Sequence, residues 1–169
     1  PADAPNVFVL NIQQDQQQDF IKMAGEHVSL YPVIRGRLTA INNKPVNRLE
    51  EQQKRGDSLA REFNLTYRNH LLDDEEIRAG SSLFTADRNG HIPLQVSILD
   101  TVEDMGSMKL GDILHFNIQG VPLNAEVTSI RSRTRSKLHP FFYFVFPEEY
   151  LRAAPQNAFG VLRLEESAI

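Results

Sequence analysis

Residues 30–46 have the sequence LYPVIRGRLTAINNKPV. From residue 33 onwards apolar and polar side chains alternate, which predicts a strand. One predicted face carries Ile34, Gly36, Leu38 and Ala40. The pair Asn42-Asn43 tolerates positive φ and therefore predicts a tight two-residue hairpin turn. Pro45 then limits the returning strand to a short or edge segment.

A strand and a helix are predicted before this stretch. Residues 7–12 form an almost continuous apolar run, typical of a strand covered on both faces. A capping-box pattern begins at Asp15, and apolar residues then recur at helical spacing until Gly25. Residues 7–41 therefore predict the order strand, helix, strand.

The middle of the chain is more polar and predicts short strands and turns. Residues 47–58 have the composition of a solvated linker or a frayed helix, and residues 68–82 that of an acidic loop. We predict strands at 59–67, 113–118 and 121–130, a helix over 98–105, a hairpin turn at 89–90, and turns at 110–112 and 119–120.

Apolar residues return near the end of the chain. Residues 141–146 predict a buried strand, residues 148–152 a helical turn, and residues 159–164 a last strand. Apolar strands thus lie at both ends of the sequence, with polar β-rich material between them. This arrangement predicts an α+β protein in which one α/β domain is interrupted by an inserted β module.

Composition narrows the classes of function. The chain has 169 residues and a net charge of −4, which gives no general reason to expect nucleic acid as a partner. It has no cysteine, which excludes disulfides, thiol nucleophiles and thiolate zinc sites. It has no apolar run of the roughly 20 residues needed to span a bilayer, no signal peptide and no initiating methionine. Either a trimmed soluble protein or a soluble domain excised from a longer chain is expected.

No constellation of residues predicts catalysis, a metal or a cofactor. The five histidines are dispersed, and no nucleophile motif or phosphate-binding glycine loop is present. The segment 87–92 resembles a calcium loop, but the first and twelfth ligand positions hold Thr85 and Val96. Acids at 73–76 are interpreted as a solvated surface. We therefore predict a protein that is not an enzyme.

One basic pattern is a candidate binding site. Positively charged residues occupy every second position at Arg131, Arg133, Arg135 and Lys137. On a strand they would line one face, where a phosphate, a lipid headgroup or an acidic protein could bind. The alternative is a solvated edge strand whose charges discourage aggregation. Nucleic-acid binding is rejected, because half of the neighbouring aromatic residues must face the core and the chain is acidic.

Several segments resemble a known family. They are residues 6–12, 30–38, 40–46 and 61–68, followed by a Leu-Gly-Asp turn at 110–112 and a strand. Together they resemble the large extracytoplasmic domain of FtsX-like ABC transporter permeases, specifically the YbbP-type branch. Asn43 departs from the pattern, since relatives often carry glycine there.

The resemblance implies an architecture similar to the periplasmic core of MacB and LolC. Residues 1–46 and 138–169 would form a Porter-like α/β subdomain, residues 57–137 a Sabre-like β-rich subdomain, and residues 47–56 a connection. Such a domain lies between transmembrane helices on the periplasmic side of the bacterial inner membrane. The missing start and the missing membrane spans would then have one cause, namely excision from a membrane protein.

The resemblance also implies a function without catalysis and without a cofactor. A separate cytoplasmic ABC ATPase subunit would hydrolyse ATP. This domain would transmit the resulting motion either to a hydrophobic or lipidated substrate, which is exported or extracted, or to a periplasmic accessory protein. The alternative from another class is a standalone secreted module that binds an anionic ligand through Arg131, Arg133, Arg135 and Lys137.

Overall fold

The computed structural model describes residues 6–25, 28–54, 58–134 and 140–164. The protein is mixed α and β with more strand than helix, which confirms the α+β class at this level. The strands are β1 (Asn6–Ile12), β2 (Val28–Ile41), β3 (Lys44–Pro45), β4 (Glu62–Tyr67), β5 (Glu75–Ala79), β6 (Gln95–Leu99), β7 (Ile113–Ile118), β8 (Val121–Arg133), β9 (Phe144–Phe146) and β10 (Asn157–Leu164). The helices are α1 (Gln17–Ala24), α2 (Arg48–Gln52), α3 (Asp100–Gly106) and α4 (Glu148–Leu151).

The strand and turn predicted from residues 30–46 are confirmed. Along β2, Ile34, Gly36 and Leu38 are buried while the residues between them are exposed. Asn42 and Asn43 have φ angles of 50° and 65°, the positive values that a two-residue hairpin turn requires. The returning strand β3 has only two residues, as expected where a proline cannot donate a hydrogen bond.

The strand β2 joins two parts of one sheet, whose order is β1-β10-β2-β4-β9-β6-β8-β5. Its first half, residues 28–33, pairs with β10, which in turn pairs with β1. Its second half, from residue 34 onwards, pairs with β4 and β7. The switch between partners occurs between two consecutive buried residues, so each half faces its own apolar cluster.

Aromatic rings connect the interior of the larger part of the sheet to its surface. Edge-to-face contacts with centroid separations of 5.1–6.0 Å link Phe141, Tyr143, Phe63, Phe144, Phe116 and Phe146 in that order. Such contacts stabilise aromatic pairs beyond their area burial. The first ring, Phe141, is 52% exposed, whereas Phe144 and Phe146 are fully buried.

Several boundaries differ from prediction. The helix predicted from residue 98 begins at Asp100, because Ile98 and Leu99 are the last two residues of the buried strand β6. The strand predicted over 141–146 is limited to β9, since Phe141 lies on the surface. Asn89-Gly90 forms a turn, closed by a hydrogen bond from the Asp87 N–H to the His91 carbonyl oxygen at 2.7 Å, but no strand flanks it directly.

The predicted subdomain boundaries remain a prediction. By sequence position β9 belongs to the segment 138–169, yet it pairs with β4 and β6 from the segment 57–137. Among the described residues, no helix is long and apolar enough to cross a bilayer.

Candidate functional site

Arg131, the first residue of the predicted basic face, is completely buried. Its guanidinium donates to the Ser97 carbonyl oxygen at 2.8 Å, to Ser97 Oγ at 3.2 Å and to the Phe142 carbonyl oxygen. Its Nε lies 3.1 Å from Glu75 Oε2. Arg131 therefore does not contribute to an exposed basic face, contrary to the prediction, because polar groups of three other chain segments enclose its side chain.

The Glu75 carboxylate also forms an ion pair with a second arginine, Arg68. Arg68 Nη1 lies 2.7 Å from Glu75 Oε1, and Arg68 Nη2 donates to Oε2 at 2.9 Å, a bidentate geometry. The side chains of Arg68 and Glu75 are only 8% and 6% exposed. We call Arg68, Glu75 and Arg131 the buried arginine cluster. It joins the end of β4 to β5 and β8, so its charges hold strands together.

Burial and the neighbouring charges shift the pKa of two members of this cluster. Burial raises the pKa of the Glu75 carboxyl, but the guanidinium groups of Arg68 and Arg131 together lower it by more than burial raises it. The net pKa therefore lies below the ordinary value of 4.5. Burial lowers the pKa of Arg131 from its ordinary value to about 10, against the opposing effect of Glu75. Arg131 is still protonated at neutral pH, and its cation is matched by the Glu75 carboxylate.

Glu75 was missed because the acids at 73–76 were interpreted as a solvated surface. In the structure Glu75 begins β5, and Asp74 is also buried, so this interpretation is wrong for both residues. The available signal was the alternation of Ile77 and Ala79 with the exposed Glu76 and Arg78.

Arg133, the second predicted residue, lies beside an open cleft of about 900 Å³. Its guanidinium carbon is 4.7 Å from the centroid of the Phe141 ring, a cation–π contact. We call this space the α3 cleft, and its lining residues are Leu99, Asp100, Thr101, Asp104, Met105, Arg133, Phe141 and Tyr143. The remaining predicted residues, Arg135 and Lys137, lie outside the described residues.

A second buried carboxylate anchors the segment that was predicted as a solvated linker or a frayed helix. Glu51 on α2 accepts from the Leu59 N–H at 2.8 Å and from Lys54 Nζ at 2.7 Å. Burial raises the pKa of Glu51, but these hydrogen bonds and the Lys54 charge lower it to a net value below 4.5. Residues 48–52 are therefore helical and anchored, with Asn47 capping the helix through two backbone N–H groups.

Two of the histidines, His91 and His115, make contacts within the fold. His115 Nε2 accepts from the Asn43 N–H at 3.1 Å, so the ring proton lies on Nδ1 and points to Asn124 Oδ1 at 2.8 Å. His91 lies 3.4 Å from the Tyr150 hydroxyl. His27 and His139 lie outside the described residues. Within the described part of the chain, no group of three or more acidic or histidine side chains has the arrangement of a metal site.

The chain is similar to the uncharacterized ABC transporter permease YbbP of Escherichia coli (strain K12). The two are 36% identical over an alignment of 169 positions, which covers 98% of this chain and 20% of that permease. This chain therefore spans about a fifth of the length of the curated relative that it matches. No protein-family profile matches the chain. The resemblance to YbbP-type ABC transporter permeases that the sequence predicted is confirmed.

Proposed function

We propose that this chain is an extracytoplasmic domain of an ABC transporter permease, which couples ATP-driven motion of the membrane segments to movement of a substrate or of a partner protein. The observation that carries the proposal is the 36% identity to YbbP along almost the whole chain. Because the match covers a fifth of that permease, the activity of the full protein is part of the proposal.

The positions of the first and last described residues support a domain inserted between two membrane helices. Asn6, the first residue of β1, pairs with Leu164, the last residue of β10, in an antiparallel ladder of seven residue pairs. The first and the last residues that the structure describes therefore lie side by side on paired strands. A domain joined to two membrane helices at one point would be moved as a unit by a change in their separation or tilt.

The finer architecture belongs to the same proposal. Residues 1–46 with 138–169 would form the Porter-like subdomain and residues 57–137 the Sabre-like subdomain. The pairing of β9 with β4 and β6 would make the contact between these subdomains a continuous sheet. The domain would lie in the periplasm, and a cytoplasmic ABC ATPase subunit would supply the energy. The substrate would be hydrophobic or lipidated, and the domain itself would catalyse no reaction.

The alternative of an anion-binding module loses its main support. It required four neighbouring cations on an accessible face, but the guanidinium of Arg131 is buried against Glu75. Arg133 shares its cleft with two aspartates, which oppose the binding of an anion.

The reading frame of the gene gives the first test. The proposal requires an apolar run of roughly 20 residues on each side of this segment, and a frame without such runs would contradict it.

Because the chain has no cysteine, Asn43→Cys in the exposed hairpin turn then reports the side of the membrane. A membrane-impermeant maleimide should label it in cells whose outer membrane alone is permeable. Labelling only after cell lysis would contradict a periplasmic position.

Mechanical coupling between the ATPase subunit and this domain is tested by making the connections before β1 and after β10 flexible. Spin labels on Asn43→Cys and on the ATPase subunit should report a distance that differs between ATP-bound and ADP-bound complexes. Short Gly-Ser insertions before β1 and after β10 should remove this difference while ATP hydrolysis continues. The matched control places the same insertion between Asn89 and Gly90, where it should leave the difference intact. An unchanged response to the insertions at the ends would contradict mechanical coupling.

A further inference from the structure

The α3 cleft combines an apolar floor with an acidic wall. Phe141 is 52% exposed, and its ring contacts Tyr143 with a centroid separation of 5.5 Å. Leu99 and Met105 also line the cleft. Aromatic residues are enriched in the buried centres of protein interfaces.

The acidic wall comes from α3. Asp100 and Asp104 lie four residues apart on this helix, so their carboxylates project from the same face. Asp100 has a distant, solvent-exposed partner in Arg78, at 3.8 Å. Asp104 is exposed and has no ion pair within the residues that the structure describes. Asp100 is also attracted to the charge of the buried Arg131. The uncompensated negative charge of the wall is therefore that of Asp104.

Arg133 contributes a cation to the same cleft, and within the described residues it forms no ion pair with Asp100 or Asp104. Its guanidinium carbon lies 4.7 Å from the centroid of the Phe141 ring, and its N–H groups are hydrogen-bond donors. Such donors suit the backbone carbonyl groups of an extended chain. The cleft therefore offers carboxylates for cationic side chains, an aromatic floor for an apolar side chain, and donors for a peptide backbone.

We propose that the α3 cleft binds an extended segment of a partner protein in which basic and apolar side chains alternate. Alternation places the basic residues of an extended segment towards Asp100 and Asp104 and the apolar residues towards Phe141. An acyl chain is a poorer occupant, because it would bury the Asp104 carboxylate without a partner. An anionic headgroup is repelled by Asp100 and Asp104. Binding at this cleft does not depend on the permease function.

The test uses a short synthetic peptide that alternates lysine with leucine or phenylalanine. Titration into the isotopically labelled protein should shift the backbone resonances of residues 99–105, 133 and 141–143. Asp100→Asn with Asp104→Asn should weaken binding by roughly tenfold, and Phe141→Ala should weaken it similarly. The matched controls are Glu76→Gln with Glu126→Gln, which remove the same charge elsewhere, and Val121→Ala, which shortens another exposed apolar side chain. These controls should leave the affinity within about twofold.

Several outcomes would overturn the proposal. They are no detectable binding at about 1 mM peptide, equal binding of a peptide with glutamate in place of lysine, and equal losses in the control variants. Shifts of the same residues produced by vesicles of anionic phospholipid, or by raising the protein concentration without peptide, would assign the cleft to a lipid or to a second copy of the chain. None of these results depends on whether the domain moves during ATP hydrolysis, so failure here is distinguishable from failure of the permease proposal.

Discussion

Glu75 and Arg131 are 56 residues apart in sequence, yet Glu75 Oε2 lies 3.1 Å from Arg131 Nε in the protein interior. Arg68 completes the buried arginine cluster from the other side of the same carboxylate. Two cations therefore depend mainly on one carboxylate in a region from which water is nearly excluded, and Asp100 adds a weaker attraction to Arg131. The first two predictions concern this dependence.

Glu75→Gln should lower the free energy of unfolding by roughly 3–5 kcal/mol, because it leaves buried cations without their anion. Urea denaturation followed by circular dichroism measures the change. The control is Arg35→Ala, which breaks an ion pair with Glu62 whose side chains are 63% and 46% exposed. That substitution should cost less than about 1 kcal/mol. Equal costs would mean that burial of the cluster contributes nothing special to stability.

Acid should remove part of the stability through Glu75. Its pKa is lower in the folded protein than the ordinary value of 4.5, so between these two values the unfolded chain binds more protons than the folded one. The contribution is complete above pH 4.5 and is lost as the pH falls through the lower folded pKa. Free energies of unfolding measured by urea titration at successive pH values should show this loss, and Glu75→Gln should show a smaller one. Parallel curves for the two proteins would refute the assignment.

Gly80→Ala should destabilise the protein more than Gly120→Ala. Both glycines have positive φ, 92° and 90°, which strains any side chain. A Cβ atom at Gly80 would also lie 2.5 Å from the Thr128 carbonyl oxygen, whereas the space at Gly120 is open. We expect a loss of about 1 kcal/mol at Gly120 and about 3 kcal/mol or more at Gly80. Thermal unfolding checks both, and similar melting temperatures would contradict the backbone clash.

The two asparagines of the β2–β3 turn should respond in opposite ways to glycine. Asn42 donates to Asp112 Oδ1 at 3.0 Å and accepts from the Ile113 N–H at 2.8 Å, so Asn42→Gly should cost about 1–2 kcal/mol. Asn43 contributes its backbone N–H to His115, and that donor survives in Asn43→Gly. Asn-Gly is the preferred pair for this turn, so Asn43→Gly should stabilise by about 0.5 kcal/mol. Chemical denaturation of both variants measures the contrast, and a loss at Asn43 as large as that at Asn42 would disprove it.

Local patterns were sufficient where the backbone itself determines the structure. The alternation of Ile34, Gly36 and Leu38 predicted the buried face of β2, and Asn42-Asn43 predicted the turn, because both signals act between near neighbours in the sequence. Ile98 and Leu99 show the limit of periodicity. Apolar residues at helical spacing fit a fully buried strand equally well when every residue of that strand is covered.

The buried arginine cluster could not be predicted in this way. Spacing at every second residue correctly indicated a strand for Arg131 and Arg133, but whether a face is covered depends on distant segments. Arg131 is enclosed by groups from β5, β6 and the segment before β9, and no local pattern records that arrangement. The same limit applies to the α3 cleft, since Asp100 and Phe141 meet only through the folded sheet.

The pairing of β1 with β10 has a consequence for how the protein is made. On the ribosome β1 emerges first, but β10, the only strand that pairs with it within the described chain, emerges last. Asn6 and Leu164 are 158 positions apart (164 − 6), so the apolar strand β1 stays without this partner during nearly the whole synthesis of this segment. Contacts of such large sequence separation form slowly, and an unpaired apolar strand is prone to aggregation while it waits. This domain therefore completes its fold only after its last strand has left the ribosome.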